Sequence, residues 1–154
     1  WALLGFASVY HGAARRAFDL SVATANQRTS IAVSGSMAHH PEVQHNIAEM
    51  RIALDASEAL LDRTTADWST GVAHADWPAR IVATRYRVIT ESYEIVDRAM
   101  DLTGGSGAFK RNRMEQLFRD VRMGRFHPGN TLLAHELVAK LSLGLNPDDA
   151  PRWG

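Results

Sequence analysis

The stretch from Arg119 to Glu136, RDVRMGRFHPGNTLLAHE, sets a histidine, a proline and a glycine directly ahead of an apolar helix. Pro128 and Gly129 shape a sharp turn, and Asn130 or Thr131 is placed to cap the helix that follows. Such a turn exposes backbone N–H groups at the helix start, where the helix dipole favours negative charge, and holds the His127 imidazole beside them. An imidazole titrates unperturbed at about pH 6.5, so it can accept a proton or donate a hydrogen bond near neutrality. The same residues also describe a plain surface histidine in a turn, and the segment alone does not choose between the two.

Other residue types with chemical potential lead elsewhere or nowhere. There are seven histidines, yet His135–Glu136 lacks the second histidine four residues on that a zinc-protease helix needs, because Ala139 stands there. His39, His40 and His45 have no carboxylate or thiolate at ligand spacing, so they read as loop residues and no metal site is expected. The segment DLTGGSGAFKR is glycine-rich but lacks the Lys–Ser/Thr ending of a phosphate loop, and a helix, not a strand, precedes it. Gly104, Gly105 and Gly107 therefore read first as a helix cap and turn, although they also let a ligand's pyrophosphate approach the backbone. Arg28 reads as a helix-end cation and Arg119–Asp120 as an exposed ion pair, which is worth little.

The elements that position these residues are helices. Residues 2–28 are rich in alanine, contain no proline and read as a first long helix with a surface suited to close packing. Residues 29–40 lose that character and read as a loop. From Pro41, the residues Val43, Ile47, Met50, Leu54, Ser57, Leu61 and Trp68 recur at helical steps, giving a second helix of about seven turns. Gly71 and the HADWP segment break it. From about Pro78 two apolar stripes run together, one through Ile81, Val88, Ser92, Ile95, Ala99 and Leu102, the other through Val82, Tyr86, Ile89, Tyr93, Val96 and Met100. A helix apolar over so wide an arc is covered on more than one side, and the second stripe points to bundles that associate with one another. A short helix over residues 111–122 and a last helix over 131–143 follow. No two-residue alternation bounded by hairpin turns appears, so the expected fold is an all-α up-and-down bundle over residues 1–143, with 144–154 as a C-terminal tail.

Composition narrows the function. The chain has 154 residues, enough to bury roughly 70% of the surface its unfolded form exposes. Lys and Arg number 17, as do Asp and Glu, so there is no electrostatic case for a nucleic acid or an anionic membrane as partner. Cysteine is absent, which removes a disulfide framework and a cysteine nucleophile and fits the cytoplasm. No apolar run is long enough to span a bilayer. The chain opens WALLGFASVYHGAARRAF, without an initiator methionine and with the apolar pattern already running, as a piece of a longer polypeptide would.

Taken in order, Arg28 at the end of the first helix, HPEVQHNIAEM, DLTGGSGAF, LFRDVR and HPGNTLLAHELVAKL resemble the C-terminal helical domain of the acyl-CoA dehydrogenase superfamily. The resemblance runs from about Leu3 to Leu143. It implies that Gly104, Gly105 and Gly107 approach the ADP part of a flavin held by a neighbouring subunit, and that Arg28 contacts the same cofactor's phosphates. Two positions depart from the dehydrogenase pattern. Asp101 stands where that pattern has a glutamine, and an acid there repels a pyrophosphate, which leaves FMN as open as FAD. His127, Pro128, Gly129 and Asn130 stand where many dehydrogenases have Tyr-Glu-Gly-Thr, whose glutamate removes the proton beside the thioester carbonyl. A proline cannot do this, so dehydrogenation would need a base from elsewhere.

The His-Pro-Gly-Asn variant is similar instead to the oxygenase components of two-component flavin-dependent aromatic hydroxylases, above all those acting on phenolic secosteroids in sterol breakdown. That resemblance implies a monooxygenase that hydroxylates a phenol ortho to its hydroxyl, with reduced flavin, FMN or FAD, delivered by a separate reductase. It also implies a homo-oligomer, expected to be a tetramer. His127 would be the catalytic residue, either accepting the phenolic proton or hydrogen-bonding oxygen activated on the flavin. Phe126 and Asn130 would lie on the substrate side, with Phe126 equally able to be plain core. The alternatives are an acyl-CoA dehydrogenase-type oxidoreductase of the same fold, or a helical oligomerisation module without chemistry of its own.

Overall fold

A computed structural model describes residues 1–30 and 33–148. Five helices carry the architecture: α1 (Ala2–Gln27), α2 (Pro41–Ser69), α3 (Trp77–Thr103), α4 (Arg113–Arg122) and α5 (Thr131–Ser142). The all-α bundle expected from periodicity is the fold observed. α1 packs along α3, α2 lies against both, α4 rests on α3 and α1, and α5 rests on α3. Proline opens α2 and sits in the first turn of α3, where its missing N–H costs nothing.

Close packing of α1 follows from its alanines. Ala7, Ala14 and Ala17 are fully buried: Ala14 and Ala17, with Tyr10, form the α1 side of a core completed by Met50, Leu54, Ile95, Val96 and Val121, and Ala7 packs in a second cluster with Leu4, Leu61 and Val88. Much of the wide apolar arc of α3 is used within this chain, since α1, α2, α4 and α5 all pack on that helix and Val82, Ile89 and Val96 of its second stripe are buried, while Tyr86, Tyr93 and Met100 keep partial exposure. Packing within the chain thus accounts for half of that stripe. Exposed large apolar side chains include Phe126 on the turn before α5, Leu132 and Leu133 in its first turn and Leu143 just after it.

The segment expected to be a plain loop after α1 contains two short antiparallel strands, β1 (Thr29–Ser30) and β2 (Val33–Ser36), with Thr29 opposite Ser36 and Ser30 opposite Val33. Strands of two and four residues are too short for alternation to register. The hairpin has a local purpose, because the Met37 N–H donates to the Arg28 carbonyl at 2.8 Å and closes the end of α1. α5 stops at Ser142, where Gly144 adopts φ +70° and the Leu145 N–H reaches the Lys140 carbonyl at 2.8 Å. The Lys140 ammonium then ties down the Pro147 carbonyl at 3.3 Å, so the start of the expected tail is anchored. Residues 149–154 of that tail lie outside the described residues. No described helix is long and apolar enough to cross a membrane.

Between α1 and α2 the core holds a histidine. His11 is 8% exposed, and its Nδ1 lies 3.3 Å from the Ser57 hydroxyl, which itself donates to the Ala53 carbonyl at 2.8 Å. Ser57 must therefore accept from His11, and the buried Nε2 is left without a partner. Burial pushes this imidazole below its ordinary 6.5, with Glu58 and Asp62 opposing and Arg15 reinforcing the shift. A histidine held neutral by the fold stabilises it fully above the unfolded-state value and loses that contribution as pH falls through the folded-state one. Denaturant midpoints measured from pH 7.5 to 5 are expected to decline below about pH 6.5, and His11→Leu is expected to flatten that decline.

Candidate functional site

The turn that carries His127 is shaped by a residue that belongs to neither flanking helix. Arg85, on α3, is 2% exposed and surrounded by core, and no carboxylate pairs with it among the described residues. Its guanidinium serves main-chain carbonyls instead: Nη1 donates to Gly129, and Nη2 donates to Gly124 at 2.9 Å and to His127 at 3.3 Å. Nε is buried with no hydrogen-bond partner among the described residues. Burial draws the guanidinium's proton affinity down, and the Tyr10 hydroxyl nearby partly offsets this. A planar fork of donors is suited to gathering three oxygens of one loop.

Two glycines make the arrangement possible. A Cβ at Gly124 would stand 2.7 Å from Ile89 Cγ2 and 3.4 Å from the Tyr10 ring, so only a glycine lets this backbone come within reach of Arg85. Gly129 adopts φ +76°, a left-handed turn that glycine enters without a steric penalty. Asn130 then caps α5, its Oδ1 accepting from the Leu133 N–H at 3.2 Å. Of the two cap candidates the structure selects Asn130, and that oxygen is accordingly engaged by the helix.

Clamped in this way, the loop turns the His127 side chain onto α1. The ring stacks on Phe6, with centroids 4.5 Å apart and planes inclined by 11°, and Nε2 lies 2.7 Å from the Tyr10 hydroxyl. His127 is half-buried. Its Nδ1 has no hydrogen-bond partner among the described residues and is not sealed in the interior. Burial pushes the Tyr10 hydroxyl above its ordinary 10.0, opposed by Arg85 and reinforced by Asp120. Phe126 is 71% exposed, which removes it from the core and leaves it on the open side of the loop.

A second group gathers at the other end of α1. The Arg28 guanidinium donates from Nη1 to the Thr103 carbonyl at 2.7 Å, and Gly104, at φ +67°, lies beside the same nitrogen. Next to them opens a cavity of ≈ 400 Å³ whose lining includes Ser21, Thr24, Arg28, Thr29, Met37 and Leu102. Gly105 is exposed, and a Cβ there meets nothing within 4 Å. Gly107 differs: it is buried, and a Cβ would stand 2.7 Å from Met100 Sδ and 3.1 Å from Thr103 Cγ2, so packing accounts for it. Asp101 is exposed and does not line the cavity. Arg28 and Gly104 are thus brought together, while His127 sits with Tyr10 roughly 27 Å away along α1 at 1.5 Å per residue.

The chain matches the family described as acyl-CoA dehydrogenase, C-terminal domain, over residues 4–131. It belongs to that family. It is 25% identical over 139 residues to a putative acyl-CoA dehydrogenase, YdbM, of Bacillus subtilis, covering 90% of this chain and 36% of the relative. It is 27% identical over 136 residues to a 3-(aryl)acrylate reductase of Clostridium sporogenes, covering 88% of this chain and 35% of the relative. This domain thus spans about a third of the length of these curated relatives. Among solved structures, XiaF from Streptomyces in complex with FADH2 and glycerol superposes with a TM-score of 0.84 at 21% identity, over 97% of this chain and 39% of that one, and shares the fold.

Sequence reasoning singled out His127, Arg28 and Gly104 as candidates and passed over Arg85, Tyr10 and Phe6, which the structure places around His127 and its loop. For Arg85 a signal existed, a charge set between Ile81 and Val88 in the register of a buried stripe. Arg85→Met is expected to lower stability by about 1–3 kcal/mol, because carbonyls of the loop lose their donor. Hydrogen exchange is expected to accelerate at residues 124–130, with the α1–α2 contact unaffected; Arg85→Lys, lacking the fork, should fall between the two.

Proposed function

We propose that this family member is the C-terminal domain of a flavin-dependent oxidoreductase to whose reacting centre it offers an imidazole and no carboxylate. The observation that carries the reading is the loop over residues 124–130, which contains no acidic side chain and holds His127 with one ring nitrogen engaged and the other open. Flavin would supply the two-electron chemistry that the side chains of this domain lack. Residues at the far end of α1 fit a phosphate-bearing group: the Arg28 guanidinium, the unobstructed Gly104–Gly105 backbone and a cavity of ≈ 400 Å³ beside them. Since roughly 27 Å of helix separates this end from His127, one chain would serve its own flavin through His127 and a neighbour's through Arg28. The catalytic unit would then be a homo-oligomer, with the tetramer as the expected form.

The relatives' names favour redox chemistry beside an acyl carbonyl, as in an acyl-CoA dehydrogenase, and this is the first reading. In it, a carboxylate outside residues 124–130 removes the proton beside the carbonyl, and His127 faces the substrate oxygen. A second reading rests on the His127-Pro128-Gly129-Asn130 sequence itself: hydroxylation of a phenolic substrate, a secosteroid among the candidates, by reduced flavin from a separate reductase. There His127 would meet the phenolic oxygen and the exposed Phe126 the ring.

The full-length enzyme separates these readings. Mixed anaerobically with a panel of acyl-CoA thioesters, its bound flavin is expected to bleach without a reductase. Absence of bleaching together with catechol formation from phenols, dependent on a reductase, NADH and oxygen, would replace the first reading by the second. A protein that neither binds flavin nor turns over either substrate class would overturn both. Gly105→Val, which has open space for its side chain, is expected to leave thermal stability unchanged and weaken flavin binding about tenfold by obstructing backbone approach; equal affinity would leave these glycines only their turn.

A further inference from the structure

We propose that Tyr10 is a positioning residue that holds His127 as the Nδ1–H tautomer, so that the ring meets its ligand as a hydrogen-bond donor to an electron-rich oxygen. A neutral imidazole carries one N–H, and the partner of one nitrogen decides the state of the other. Tyr10 is 8% exposed, and among the described residues the one hydrogen-bond partner of its hydroxyl is His127 Nε2 at 2.7 Å. If Nε2 carried the proton, the hydroxyl would accept from it, and the phenolic hydrogen would have no acceptor among the described residues. With the hydroxyl donating to Nε2, both atoms of the contact are satisfied, and the imidazole proton resides on Nδ1. Burial, which favours the neutral phenol over the phenolate, acts in the same direction.

The remaining contacts fix where that N–H is directed. Phe6 stacks nearly parallel to the imidazole and defines its plane. Arg85 holds the His127 carbonyl and so the backbone from which the ring projects. Rotation about χ2 would break the Tyr10 bond. The nitrogen left over, Nδ1, is the one that is not sealed in the interior. In this tautomer the open nitrogen has no lone pair to receive a proton, so the loop offers a donor and not a base. A carbonyl oxygen gaining negative charge and a phenolate oxygen are equally suited to it. The identity of that oxygen rests on the function proposed above, whereas the tautomer does not.

The test is ¹⁵N NMR of the full-length protein labelled at histidine, with the His127 signals assigned by their loss in His127→Gln. The expected result is a protonated Nδ1 and a bare Nε2 in the unsubstituted protein, and a shift of the majority to Nε2–H in Tyr10→Phe, which keeps the ring's packing. A protonated Nε2 in the unsubstituted protein overturns the proposal, and that spectrum decides the matter alone if Tyr10→Phe does not fold. An unchanged spectrum in a folded Tyr10→Phe overturns it as well. Because the spectrum does not depend on turnover, failure of either substrate reading leaves this result intact. In whichever turnover assay the full enzyme supports, Tyr10→Phe is expected to lower kcat about tenfold or more with KM nearly unchanged.

Discussion

A buried cation organises the end of this domain that carries the candidate site. Arg85 occupies the core without a carboxylate, and the desolvation of its charge is offset by main-chain carbonyls gathered from one short loop. Carbonyl dipoles oriented at a guanidinium are weaker partners than an anion, yet they leave no second charge to bury. They also couple shape to charge, since the carbonyls of Gly124, His127 and Gly129 converge only when the chain between α4 and α5 takes one path. The interaction thus defines the loop rather than merely securing it.

The chemistry is layered on that path. The loop delivers His127 to α1, where Phe6 and Tyr10 stand one helical turn apart and receive the ring by its face and by its Nε2. α1 can lie close enough to do this because Ala7, Ala14 and Ala17 let it sink against its neighbours. At its opposite end the same helix presents Arg28 to Thr103 and Gly104, where α3 finishes. Two groups of candidate side chains are thereby placed by one helix.

Much of this was legible in the residues. Helical spacing, the absence of proline from α1 and the prolines that open α2 and α3 define the long elements, since each acts within a few residues of itself. The turn at His127 was legible for the same reason, Pro128, Gly129 and Asn130 all being local signals. The Tyr10–His127 and Arg85–Gly124 contacts were not, because each joins positions far apart in sequence and no local pattern specifies such a pairing. The glycine cluster shows a related limit: Gly104 and Gly107 look alike in the sequence, but one is exposed beside Arg28 and the other is confined by Met100 and Thr103. Alternation and periodicity likewise could not reveal the short hairpin after α1, nor that half of α3's second stripe is buried by the chain's own helices.

Gly124 touches no ligand in any reading of this protein, yet Ile89 leaves no room there for even one additional carbon. A methyl group at that point would collide with Ile89 and push back the backbone whose carbonyl Arg85 holds, so a change in bulk would reach the His127 ring as a change in aim. Selection on catalysis would then be felt at a position whose own atoms take no part in it, and the residue preserved would be the smallest one available.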